Sequence, residues 1–235
     1  MDGYAMNFGN LNDFMTIALL RAIPALICIT IHELAHGYTA YKLGDNTAKI
    51  MGRLTLNPIK HIDPVGLLMM LMVGFGWAKP VPVDMRNFKH PKWYMAITAL
   101  AGPVSNILLA IVIIFVLGFV ATPLSDNIND LNSTIYSIIS ITVFLNIALA
   151  IFNMFPIPPL DGSKVIYSLL PEKWYYNILK YERFGMIALL VLIAAQLIFN
   201  INILSDTIRY LAGTVENSFF VFFRMGFILY QGLGV

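Results

Sequence analysis

Two histidines and a glutamate, His32, Glu33 and His36, stand at the end of an apolar run greasy enough to cross a bilayer. Residues four apart on a helix share a face, so both imidazoles of His32-Glu33-Leu34-Ala35-His36 can grip one cation. An H-E-x-x-H of this kind is a zinc signature, and its glutamate is placed to take a proton from an attacking water. Ionisable groups are costly at membrane depth and mark function there by default. The pattern implies metalloprotease chemistry set inside a membrane.

The composition agrees with that setting. Of 235 residues, 58% are hydrophobic and only 12% charged, against about 25% charge in a soluble domain. A net charge of +2 is too small to suggest nucleic acid, and no basic run with interleaved aromatics occurs. The single cysteine, Cys28, forbids an internal disulfide. Met1 to Asp13 carries no basic residue, so a cleavable signal peptide is not expected.

A spanning helix needs about 20 mostly apolar residues. Phe14 to Ile31 supplies one, continuing through the motif to about Leu43. Trp93 to Ala121, Thr134 to Phe155 and Phe184 to Ile203 supply three more. Ile208 to Gly234 is a fifth that either spans or lies in the interface, because Glu216 and Arg224 interrupt it. The expected fold is an all-α polytopic membrane protein with about five transmembrane helices. One membrane-embedded peptidase domain covers 1–235, with a core over about 14–175 and C-terminal helices over 184–235. Leu67 to Phe75 is too short to span. With the turn-rich stretch Gly52 to Gly66 it predicts a short β-hairpin near Met51–Leu56 and a re-entrant or interfacial piece. Trp77 to Asp84 is proline-rich and extended.

Charge sets the orientation. All nine lysines, with Arg53, Arg86 and Arg183, fall in two loops, 42–92 and 164–183. The positive-inside rule puts both loops in the cytoplasm and the N-terminus outside. His32 and His36 then lie near the cytoplasmic end of the first helix. The third helix returns to the same depth at Asn153.

Catalytic zinc takes three protein ligands and keeps one position open. Asp161 is the only acid between Asp130 and Glu172, at the predicted cytoplasmic end of the third helix. His61 and Asp63, in the predicted hairpin region, compete with it. The bland readings are a helix-end turn for Asp161, an interhelical hydrogen bond for Asn153, close packing for Gly102 and Asn106, and a loop position for His61.

The chain resembles the site-2 protease family of intramembrane metalloproteases. The resemblance rests on H-E-L-A-H-G at 32–37, N-M-F-P-I-P-P-L-D-G at 153–162, and Gly102-Pro-Val-Ser-Asn106 between them. G-R-L-T-L-N-P-I-K-H-I-D-P-V-G at 52–66 is similar to the compact bacterial and archaeal branch. The resemblance implies one Zn²⁺ per chain held by His32, His36 and Asp161. It implies Glu33 as general base and acid, and Asn153 on the substrate or the oxyanion. Asn106, Asn57 and His61 are further candidates in the substrate region. Exposed strand edges near 51–56 and 78–83 would pair with an unwound substrate helix. The implied substrate is a transmembrane or membrane-proximal segment of another protein, and the implied site is a bacterial inner membrane. The chain departs from many relatives in having no PDZ or CBS module and no helix before the motif helix, so control by a regulatory membrane protein is expected. Two other readings compete: an inactive zinc protein that escorts membrane helices, and a metal or ion transporter. Glu33 argues against the first. The lack of internal repeats argues against the second.

Overall fold

The computed structural model describes residues 11–73, 76–125, 130–179, 181–199 and 202–232. The chain is mostly helical over these residues, and no sheet occurs among them. Long apolar runs become long helices, even across Pro24 in the first and Gly102-Pro103 in the second, because in lipid each backbone group must find its partner within the segment. These are α1 (Leu11–Lys42), α4 (Pro91–Ser125) and α5 (Asp130–Asn153). Among the described residues, two stretches are long and apolar enough to cross a membrane, Pro91–Phe119 and Ile135–Asn153.

Shorter stretches give the remaining elements. These are α2 (Thr47–Ile50), α3 (Pro64–Val73), α6 (Asp161–Ser168), α7 (Glu172–Leu179) and α8 (Glu182–Phe199). Of these, α3 and α8 are apolar, and α2, α6 and α7 carry more polar residues. The last apolar stretch forms two helices, α9 (Ile203–Ser218) and α10 (Phe220–Gly232).

Helices α1, α4 and α5 pack together, with α9 against α5 and α10 along α4. Ala110 and Ile114 of α4, Val143 and Ile147 of α5 and Ala212 of α9 form a buried cluster. Cys28 of α1 donates a weak S–H bond to the Thr142 carbonyl of α5, at 3.7 Å. The alternating directions of α1, α4 and α5 bring the end of α1, the start of α4 and the end of α5 together. The Lys92 ammonium closes this end by donating to the Leu170 carbonyl.

The hairpin expected at Met51–Leu56 is not formed. The chain leaves α2 through a turn at Gly52, with φ +64°, and passes by bends into a 3-10 turn at Pro58–His61. Thr55 donates its N–H to Arg53, two residues back, so the stretch bonds to itself rather than to a second strand. The pairing falls elsewhere. Ile62 and Ala78 form an isolated antiparallel bridge, which closes an excursion containing α3. At 10 residues and about 1.5 Å per residue, α3 is too short to cross a bilayer.

Candidate metal centre and catalytic site

His32 and His36 lie one turn apart towards the C-terminal end of α1, and their rings meet edge to face with centroids 4.6 Å apart. Asp161 opens α6, just beyond the loop that ends α5. Its Oδ2 lies 3.2 Å from His32 Nε2 and 3.2 Å from His36 Nε2. All three side chains are buried. The sequence intervals separating them are therefore closed by the fold, and the competing His61 and Asp63 are not in the group.

The donor set fits a zinc ion. Tetrahedral ligands at 2.0–2.2 Å stand roughly 3.4 Å apart, close to both N–O separations. The ligand atoms of the three residues all lie within 4.8 Å of one another. His36 Nδ1 lies 2.7 Å from the Thr98 carbonyl of α4. A carbonyl only accepts, so Nδ1 carries the hydrogen and the Nε2 lone pair faces Asp161 and His32. That is the tautomer a cation requires.

Two glycines let neighbouring segments reach the cluster. A β-carbon on Gly102 would stand 2.4 Å from His36 Nε2 and 2.6 Å from His32 Cε1. One on Gly37 would meet Leu54 at 2.7 Å and Val81 at 2.9 Å. Glu33 and Gly37 are four apart, so Glu33 faces those same segments. Its Oε2 accepts the Val81 N–H at 2.7 Å.

The other expected residues divide. Asn153, the last residue of α5, turns its amide back to the Leu149 carbonyl at 3.0 Å. Asn106 is fully buried, one turn beyond Gly102, with its Nδ2 unpartnered. Asn57 is exposed and caps the 3-10 turn by accepting from the Ile59 N–H at 3.1 Å. His61 is buried and bonds the Thr55 carbonyl through Nε2 at 2.9 Å. An apolar groove of about 530 Å³ runs between α4 and the end of α5, with Leu211 of α9 on its wall. Leu100, Pro103, Val104, Ile151, Met154 and Phe155 are among its lining residues.

Sequence reasoning missed the part played by Thr98 and Val81, since both act through main-chain groups that any residue carries. The proline on each side of Val81 was the available signal, because it isolates that N–H.

Comparison with known proteins bears on this arrangement. Residues 21–129 and 118–199 match the model of peptidase family M50. The chain belongs to peptidase family M50, the site-2 protease family. It is 43% identical to YwhC of Bacillus subtilis over 175 residues, covering 74% of this chain and 80% of that one. It is 26% identical to Rip2 of Mycobacterium tuberculosis H37Rv over 178 residues, covering 72% of this chain and 64% of that one. Both carry names of the zinc-metalloprotease type. The zinc metalloprotease MJ0392 of Methanocaldococcus jannaschii is 25% identical over 66% of this chain and 35% of its own length. No solved structure matches at a significant level. As an M50 protein with two apolar helices of spanning length, the chain is a membrane metalloprotease.

Proposed function

We propose that the chain is an intramembrane zinc endopeptidase that cleaves transmembrane or membrane-proximal segments of other proteins. The observation that carries this reading is the buried His32–His36–Asp161 cluster beside the Glu33 carboxylate. Such a constellation supplies three ligands, leaves a position free and adds a proton carrier. A structural metal site needs no carboxylate of that kind.

His32, His36 and Asp161 would hold the zinc. Bound there, it would lower the pKa of a water and polarise the scissile carbonyl. Glu33 takes the proton from the attacking water and later returns it to the leaving amine. Asn153 gives a hydrogen bond to the developing oxyanion after leaving Leu149. The apolar groove between α4 and α5 accepts substrate side chains next to the cut.

The five-span reading extends α4 and α5 by α1, α8 and the α9–α10 pair, as one peptidase domain over 1–235. The lysine-rich loops and the metal cluster face the cytoplasm of a bacterial inner membrane, and the N-terminus lies outside. A membrane protein regulates access to the site.

The test uses the full chain in lipid vesicles with labelled single-span peptides. Wild type and Glu33→Gln should bind zinc equally, and only wild type should cleave. Equal cleavage by both would sink the proposal.

A further inference from the structure

The carboxylate that moves the proton is held by a loop. Val81 sits between Pro80 and Pro82, neither of which has an N–H. The Val81 N–H is thus the sole main-chain donor of that tripeptide, and it is spent on Glu33 Oε2 at 2.7 Å. The question is what fixes Val81.

Two residues upstream, Lys79 is bound through both of its main-chain groups. Its N–H donates to the His61 carbonyl at 2.9 Å. Its carbonyl accepts from Arg53 Nη2 at 2.7 Å. The His61 ring donates from Nε2 to the Thr55 carbonyl at 2.9 Å, and the Thr55 N–H donates to the Arg53 carbonyl at 3.0 Å. These four bonds close a ring through Arg53, Thr55, His61 and Lys79. The ring lies over the motif helix, where Leu54 and Val81 both rest on Gly37.

The ring is built from costly groups. Arg53 is 7% exposed and His61 1% exposed. No carboxylate pairs with Arg53 among the described residues, and its Nε has no partner. Burying a guanidinium without a counter-ion is unfavourable, so stability of the loop alone does not account for it. A charge-assisted donor does give a short, directional bond to a carbonyl, which suits a part that must be placed accurately.

We infer that Arg53 and His61 are positioning residues for peptide cleavage: they clamp Lys79 so that the Val81 N–H orients the Glu33 carboxylate. This rests on Glu33 being the proton carrier proposed above.

The experiment uses the full chain in phosphatidylethanolamine–phosphatidylglycerol vesicles. A labelled single-span peptide that wild type cleaves and Glu33→Gln does not is the probe. If no peptide meets that condition, the protease reading fails, not the clamp. With such a peptide, Arg53→Ala, His61→Ala and Val81→Pro should each lower kcat roughly 10–100-fold, the range of outer-shell orienting partners. KM and zinc content should stay as in wild type. Val81→Pro leaves both bonds to Lys79 in place, so it tests the amide with the least disturbance to folding. Arg53→Lys and His61→Gln keep a donor and should restore most of the rate. The double variant Arg53→Ala/Val81→Pro should be no slower than Val81→Pro alone, since both act through one bond. Full kcat in Val81→Pro, a change confined to KM, loss of zinc from Arg53→Ala, or additive losses in the double variant would each overturn the clamp.

Discussion

Gly102 of α4 lies so close to His36 of α1 that a β-carbon there would stand 2.4 Å from the imidazole Nε2. The metal-facing side of the histidine pair is therefore walled by bare backbone, and the neighbouring Thr98 carbonyl holds the same ring from behind. Gly102→Ala should push both imidazoles off Asp161. Overpacking of this kind costs about 1–3 kcal/mol, and zinc affinity should fall by roughly 10–100-fold, as for other disturbances around first ligands. Competition with a chelator measures it. Val104→Ala, at a 51% exposed position of the same helix, should leave affinity unchanged. Equal affinity in Gly102→Ala and wild type would remove the glycine from the metal site.

Zinc should be removable and restorable. A strong chelator should abolish cleavage by wild type, and added zinc should return it. His36→Ala removes one ligand, and Asp161→Asn keeps the shape while removing the charge. Both should bind well below one zinc per chain, read by elemental analysis after gel filtration. Full occupancy in Asp161→Asn would mean that Asp161 is not a ligand.

The long helices were legible because lipid leaves so few choices. Long apolar runs gave α1, α4, α5 and α8 bounds within a few residues, and reading successive long helices as antiparallel put Asp161 at the end of the bundle where it meets His36. The stretch between Met51 and Val83 was not legible. Its β-branched and turn-forming residues suit a hairpin locally, but long-range bonds from Arg53 and His61 to Lys79 decide its course. The last apolar stretch splits at Phe219, where no glycine or proline marks a break. Asn57 and His61 illustrate a further limit: a polar residue near a site can serve a cap or a carbonyl, and spacing does not tell which. Gly102 was readable as a packing glycine, while what it packs against came only from the fold.

Asp45 should make the loop that supports α4 sensitive to acid. Its buried carboxylate accepts the Thr47 N–H and hydroxyl, the Asn87 amide, and the Asp84 N–H at 2.7 Å. Burial pushes this carboxyl up, but the donors from Thr47, Asn87 and Asp84 outweigh burial and hold it below the usual carboxylate range. A lowered folded-state pKa contributes stability above the unfolded value, near 3.9, and that stability is lost as pH falls through the folded value. Wild type should lose melting temperature below about pH 4. Asp45→Asn should start about 2 kcal/mol less stable at pH 7 and show a smaller acid-induced loss. Parallel acid profiles for the two proteins in detergent would show that Asp45 contributes nothing to the effect.

Asn153 offers the sharpest test of how the oxyanion is met. Its amide donates to the Leu149 carbonyl at 3.0 Å, a bond within the last turn of α5. Carbonyls at a helix end can find water or other donors instead, so releasing this one is cheap. The next residue, Met154, lines the apolar groove. Losing one oxyanion donor costs about 10²–10³ in kcat where it has been measured. Asn153→Ala should therefore lose about that factor, with zinc content unchanged. Asn153→Asp decides the matter, because an ionised carboxylate is close in shape but donates nothing. It should be as slow as Asn153→Ala. Wild-type kcat in Asn153→Asp would leave the side chain as a helix-end contact and place the oxyanion donor elsewhere.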